Sequence, residues 1–168
     1  MRLLLPALAA AAALAGPVLV SPAFAQAPSL ADEAAKRKEF AEAVASARAT
    51  IDVFWARMAD NAGGPNDYSL KVAYPSPQGG YEDIWLSDIK RQGGHIVGRV
   101  NADPESLPMH AGQIAPIPED AIVDWSFKEG RKRYGQFTTR VLAKDHPDES
   151  AQIMATLSDN PLPADARK

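Results

Sequence analysis

Apolar residues follow three successive patterns along the chain, and each predicts a different structure. From Leu3 to Val20 they form a run broken by Pro6, Gly16 and Pro17 that ends in Ser21-Pro22-Ala23-Phe24-Ala25. With Arg2 in front, this is the charged, apolar and small-residue order of a secretory signal peptide, and cleavage is expected after Ala25. An uncleaved anchor helix needs about 20 uninterrupted apolar residues, which the proline and glycine breaks deny. No cysteine follows the run, so lipid attachment through a cysteine is not expected. Residues 1–25 are therefore read as a leader and residues 26–33 as a flexible lead-in to a single domain over 34–146.

The second pattern has a period near 3.6. Phe40, Val44, Ala47, Ile51, Phe54, Trp55 and Met58 are spaced by three or four, with Lys36, Arg37, Lys38, Glu39, Glu42, Arg48 and Asp52 largely off the stripe. That spacing predicts one long amphipathic helix. Ser29 and Asp32 can cap its start, and Gly63-Gly64-Pro65 ends it. Val44, Ile51, Trp55 and Met58 are expected against the core.

From Asp67 the period falls to two, and strands are expected. Tyr68 to Tyr74, Tyr81 to Ile89 and His95 to Asn101 should form a meander through turns at Pro75 to Gly80 and Gly93-Gly94. Gly112 to Ile117, Ile122 to Lys128 and Tyr134 to Leu142 are further strands, with Pro118-Glu119-Asp120 as a turn between the first two. The stretch Ala102 to Ala111, with Pro104 and Pro108, is the longest irregular segment. It is either a crossover between halves of the sheet or a functional loop. Asp148 to Leu157 predicts a weak amphipathic helix, and Ser158 to Lys168 a disordered tail. The fold class is α+β: a long N-terminal helix on a curved antiparallel sheet of five or six short strands, compatible with a partial barrel, followed by a short C-terminal helix.

Composition narrows this picture. The 168 residues include no cysteine and carry a net charge of −3; loss of Arg2 makes the chain one charge more acidic. A domain of this size buries about two-thirds of its unfolded surface, so it needs no disulfide outside the cytoplasm. Mild acidity without a basic block argues against nucleic-acid or anionic-membrane binding. Arg131-Lys132-Arg133, the densest basic cluster, reads as a solubilising turn.

Catalytic chemistry finds little footing. His95, His110 and His146 match no compact metal-ligand spacing, so no metal or other cofactor is expected. There is no nucleophile elbow. Asp88 and Asp124 form the one carboxylate pair worth weighing, with Glu82 or Glu105 as helper. Their structural alternative is to accept hydrogen bonds from loop amides or to pair with Arg99 or Arg140. Trp55, Trp85 and Trp125 all occupy apolar positions; core packing competes there with an aromatic groove for a peptide or glycan.

Four segments in register carry a resemblance: Trp85-Leu86-Ser87-Asp88-Ile89, Asn101-Ala102-Asp103-Pro104, Ile122-Val123-Asp124-Trp125 and Gly135-Gln136-Phe137-Thr138-Thr139-Arg140-Val141-Leu142. In this order they resemble the YegJ-like family of bacterial proteins, a domain of unknown function, over roughly Ala47 to Leu142. His95 and Arg131 to Arg133 match no family pattern. The resemblance implies one compact domain and carries over no reaction, cofactor or catalytic residue.

The expected function is a non-enzymatic periplasmic or secreted binding module. Its partner would be a protein, peptide or envelope polymer, engaged through Trp85, Asp103, Glu105, His110 and Trp125 on the long loop and one sheet edge. The rivals are an envelope hydrolase using Asp88 and Asp124, and an accessory that adds a strand to its partner.

Overall fold

The computed structural model describes residues 30–60 and 67–167. The leader, Ser29 and the Gly63-Gly64-Pro65 turn lie outside the described residues. Helix α1 spans Leu30–Ala49, so residues 30–33, expected to be flexible, are already helical. Alanine-rich sequence favours this start, as do Asp32 and Glu33 in the first turn, where the helix dipole stabilises negative charge. Among the described residues no helix is long and apolar enough to cross a membrane.

The expected single helix is two. After α1 the chain breaks at Thr50 and resumes as α2, Ile51–Asp60. The Ala47 carbonyl explains the break. It accepts the Thr50 amide at 3.2 Å, the Thr50 hydroxyl at 3.3 Å and the indole N–H of Trp125 at 2.9 Å. Competing donors at one carbonyl disrupt the helical ladder and bend the chain. The kink turns the buried face onto Ala43, Ala47 and Phe54. Ile51, Trp55 and Met58 pack against the core half-buried, and Val44 is also half-buried.

Six strands follow: β1 Tyr68–Pro75, β2 Tyr81–Gln92, β3 His95–Val100, β4 Ile114–Pro116, β5 Ile122–Glu129 and β6 Lys132–Gly135. They form one antiparallel sheet in the order β4-β3-β2-β1-β5-β6, open at both edges. The meander is as expected, but Ala102 to Ala111 is not a crossover. It belongs to the long connection between the adjacent strands β3 and β4. The true crossover is Ile117 to Ala121, ending in a 3-10 turn at Glu119–Ala121. Buried Ile117 and half-buried Ala121 join the core on the way.

Alternation gives the sheet two unlike faces. Tyr68, Leu70, Val72, Tyr74, Ile84, Leu86, Val100, Trp125 and Phe127 form the apolar core. Ser69, Lys71, Ser87, Asp124 and Ser126 alternate with them and are buried as well, so these strands are covered on both sides rather than half-buried.

The expected last strand is also divided. β6 ends at Gly135, and residues Phe137–Leu142 form α3 instead. Gly135 and Gln136 have φ of 74° and 59°, two successive left-handed residues that turn the chain out of the strand. Gly135 is obligatory, since a Cβ there would lie 2.1 Å from the Trp125 carbonyl oxygen. Ion pairs Lys144–Glu39 and Lys36–Asp145 bind the end of this segment to α1.

Helix α4 spans Pro147–Thr156, and the tail beyond it is ordered, contrary to expectation. Leu157 is buried and bridges to Arg133. The Ser158 amide donates to the Arg133 carbonyl and the Gly135 amide to Pro161. Asp165 accepts both bonds of a 2.7 Å fork from Arg57. The tail thus covers the β6 edge, whose unpaired groups would otherwise invite another strand. Two of the three basic turn residues hold it: Lys132 Nζ donates to the Ala155 and Leu157 carbonyls, and the Arg133 backbone pairs with Ser158.

Candidate functional site

The polar face of the sheet carries a groove of about 900 Å³ whose lining includes no residue of α1 or α2. Its floor is built by alternation on three strands, β1, β2 and β3. Ser69 of β1 pairs with Ser126 of β5, Ser87 of β2 pairs with Arg99 of β3, and Leu70 opposite Leu86 sets Ser87 beside Ser69. At the far end Arg133 Nη1 donates to Ser126 Oγ at 3.1 Å. Trp85 and Asp83 continue the same face along β2, and both line the groove.

One wall is the loop after β3, and carboxylates brace it. Glu82 accepts the Glu105 amide at 2.7 Å, the Ser106 amide at 2.9 Å and the Ser106 hydroxyl at 2.6 Å. These bonds, the hydroxyl foremost, hold its carboxyl below the usual range. Asp103 Oδ1 accepts the Ala111 amide at 2.7 Å, Arg99 Nη1 donates to the Gly112 carbonyl at 2.8 Å, and Leu107 plugs the loop into the core. A long connection with this many ties is a fixed wall rather than a floppy lid.

The residues singled out from sequence separate into two groups. Trp85, Asp103 and Glu105 line the groove together. His110 is exposed 4.0 Å from Asp103 and does not line it. Trp125 lies in the core with no exposed surface, stacked on Phe127 at 5.6 Å and edge-on to Phe137 at 5.5 Å. It is out of reach of any ligand. Trp55 is half-buried under the Arg91 guanidinium at 4.9 Å.

Asp88 and Asp124 are not brought together in the groove. Asp88 sits in a bulge with φ 49° and faces Arg99 at 3.2 Å and Lys90 at 3.5 Å. Asp124, wholly buried, accepts the Trp125, Phe137 and Thr138 amides and the Thr138 hydroxyl, the last at 2.7 Å. It thereby caps α3 from another strand. Burial pushes its carboxyl up in spite of these four donors. Lys71, opposite Asp124, donates to Thr138 Oγ1 at 3.3 Å, and burial pushes its ammonium down. Among the described residues no cluster of three or more His, Asp or Glu is arranged to hold a metal ion.

Sequence reasoning did not single out Ser69, Ser87, Arg99 and Arg133 as groove residues. The available signal was strand parity: each falls on the register that the apolar residues leave.

Comparison with known proteins decides the family. The profile of a bacterial family of unknown function, described as an uncharacterised protein conserved in bacteria, matches residues 37–156. This chain belongs to that family. It is 28% identical over 116 residues to the uncharacterised protein YegJ of Escherichia coli strain K12, covering 68% of this chain and 74% of that protein. No solved structure matches. The matched segment runs from α1 through α4, so the whole sheet, the groove and the cap on α3 belong to the family domain.

Proposed function

We propose that this chain is an exported, non-enzymatic binding module whose ligand lies in the polar groove. The observation that carries the reading is Trp85. Its ring stands among the serines, arginines and carboxylates of a groove about 900 Å³ in volume and takes no part in the apolar core. An aromatic side chain left half-exposed beside convergent polar groups and a braced loop is the composition of a recognition site. Export rests on the order of residues 1–25.

The hydrolase alternative has less support, because Asp88 is engaged by Arg99 and Lys90, Asp124 caps α3, and neither lines the groove. Strand addition is weakened at β6, where the tail covers the edge.

The test is site-specific photo-crosslinking in cells. A photoreactive residue at Trp85 should yield a discrete adduct that is missing when the same residue replaces Ile153 on α4. Equal labelling at both sites, or none at Trp85, would refute the groove. Mass spectrometry of the mature chain should find Gln26 as its first residue; an intact Met1 terminus would refute cleavage after Ala25, and such a chain recovered from the cytosolic fraction would refute export.

A further inference from the structure

Two serines on the groove floor have hydrogen-bonding capacity that the fold leaves unused. Ser69 and Ser87 are only 7% and 5% exposed and both line the groove, yet neither hydroxyl bonds to any described residue. No sealed polar side-chain atom among the described residues lacks a partner, so both hydroxyls open into the groove. The Asp83 and Glu105 carboxylates also line it and accept no hydrogen bond from a described residue.

The mixture of groups selects a ligand chemistry. Carboxylates only accept hydrogen bonds, guanidinium groups only donate, and a hydroxyl does both. The indole face of Trp85 calls for an apolar face on the same ligand. An anionic chain would meet Glu82, Asp83, Asp103 and Glu105 against Arg99 and Arg133. A peptide binding as an added strand needs an unpaired edge, but β3, β2 and β1 under the groove are each paired on both sides. A pyranose chain presents C–H faces and rows of hydroxyls that donate and accept. The row from Arg99 through Ser87 to Ser69 crosses two strand spacings, about 10 Å, which is long enough for two sugar units.

We infer that the groove binds a neutral oligosaccharide chain laid across β3, β2 and β1 toward Arg133, with one ring stacked on Trp85 and its hydroxyls on Ser69, Ser87 and Asp83. This names the ligand of the binding function proposed above and rests on it.

The test uses the mature chain, residues 26–168, labelled with ¹⁵N. Three tryptophans give three indole N–H signals, and Trp85→Phe assigns the one that matters. The probes are neutral hexasaccharides built from glucose, N-acetylglucosamine, galactose or mannose, with a lysine-rich and a glutamate-rich hexapeptide for comparison. At least one saccharide should shift the Trp85 signal saturably and leave the Trp125 signal in place. Trp85→Ala should weaken that binding about tenfold or more. Ser87→Ala should weaken it about threefold with the melting temperature unchanged.

A saccharide response that survives Trp85→Ala, or no response to any saccharide, overturns the inference. Binding of the lysine-rich peptide with the same signature would reject the saccharide and keep the binding function. If no probe binds and Trp85 gives no crosslink in cells, both readings fall together.

Discussion

Trp125 and Trp85 lie on strands separated only by β1, one on each face of the same sheet, and they do opposite work. Trp125 is sealed by Phe54, Phe127 and Phe137 and bonds Ala47, so its ring organises the core and kinks the helix above it. Trp85 opens on a groove of serines, arginines and carboxylates. The difference comes from what covers each face. Two helices pack on the apolar side, and on the polar side Lys71, Asp124 and Thr138 are joined with one another beside a groove left open. A tryptophan on a strand therefore announces burial only when a partner element lies over it.

Substitutions can break this contrast, beginning with the largest expected effect. Trp125→Ala should cost about 3–5 kcal/mol of stability in urea unfolding, because the ring is enclosed and the Ala47 carbonyl loses a donor. A loss below about 1 kcal/mol would show that the core does not depend on it. Asp124→Ala comes next, at about 3 kcal/mol, since it strands buried amides at the start of α3. Asp124→Asn, which keeps one acceptor oxygen, should cost less. Abolished activity with unchanged stability in that variant would restore the hydrolase.

A smaller effect sharpens the apolar side through pH. Burial pushes the Tyr74 hydroxyl up to about 12, against about 10 in an unfolded chain. Between those values the native state holds more protons than the unfolded one, so this residue makes stability fall as pH rises from 10 to 12. Tyr74→Phe should remove that part of the slope, read from guanidinium midpoints at several pH values; an unchanged slope would show that the hydroxyl titrates normally. Smallest of all, Trp85→Ala should change stability by less than about 0.5 kcal/mol. A loss of several kcal/mol would make it a core residue after all.

Much of the architecture was legible from local pattern. The change of period near Asp67 separated helix from sheet, and the turns at Pro75 to Gly80 and Gly93-Gly94 delimited the meander. The errors occur where a distant group outweighs local preference. Phe137 to Leu142 alternates acceptably as a strand, but Asp124, from β5, draws its first amides into a helix. Phe40 to Met58 reads as one stripe, but the indole of Trp125 takes the carbonyl that would have continued it. The tail looks too polar to order, but β6 offers it an edge of backbone groups.

The sequence by itself determined the α+β class, the first helical region, the three-strand meander after it, the family and the residues that alternate on each strand. Strand parity is a property of the extended backbone and sets which residues of one strand share a face; the register between strands is what put Ser69, Ser87, Trp85 and Arg99 on the same one. Only the tertiary structure decided which face the helices would cover. It alone set Trp125 in the core and Trp85 in the groove, and it committed Asp124 to a cap. Those outcomes depend on contacts between residues far apart in the chain, whose energies no local pattern contains.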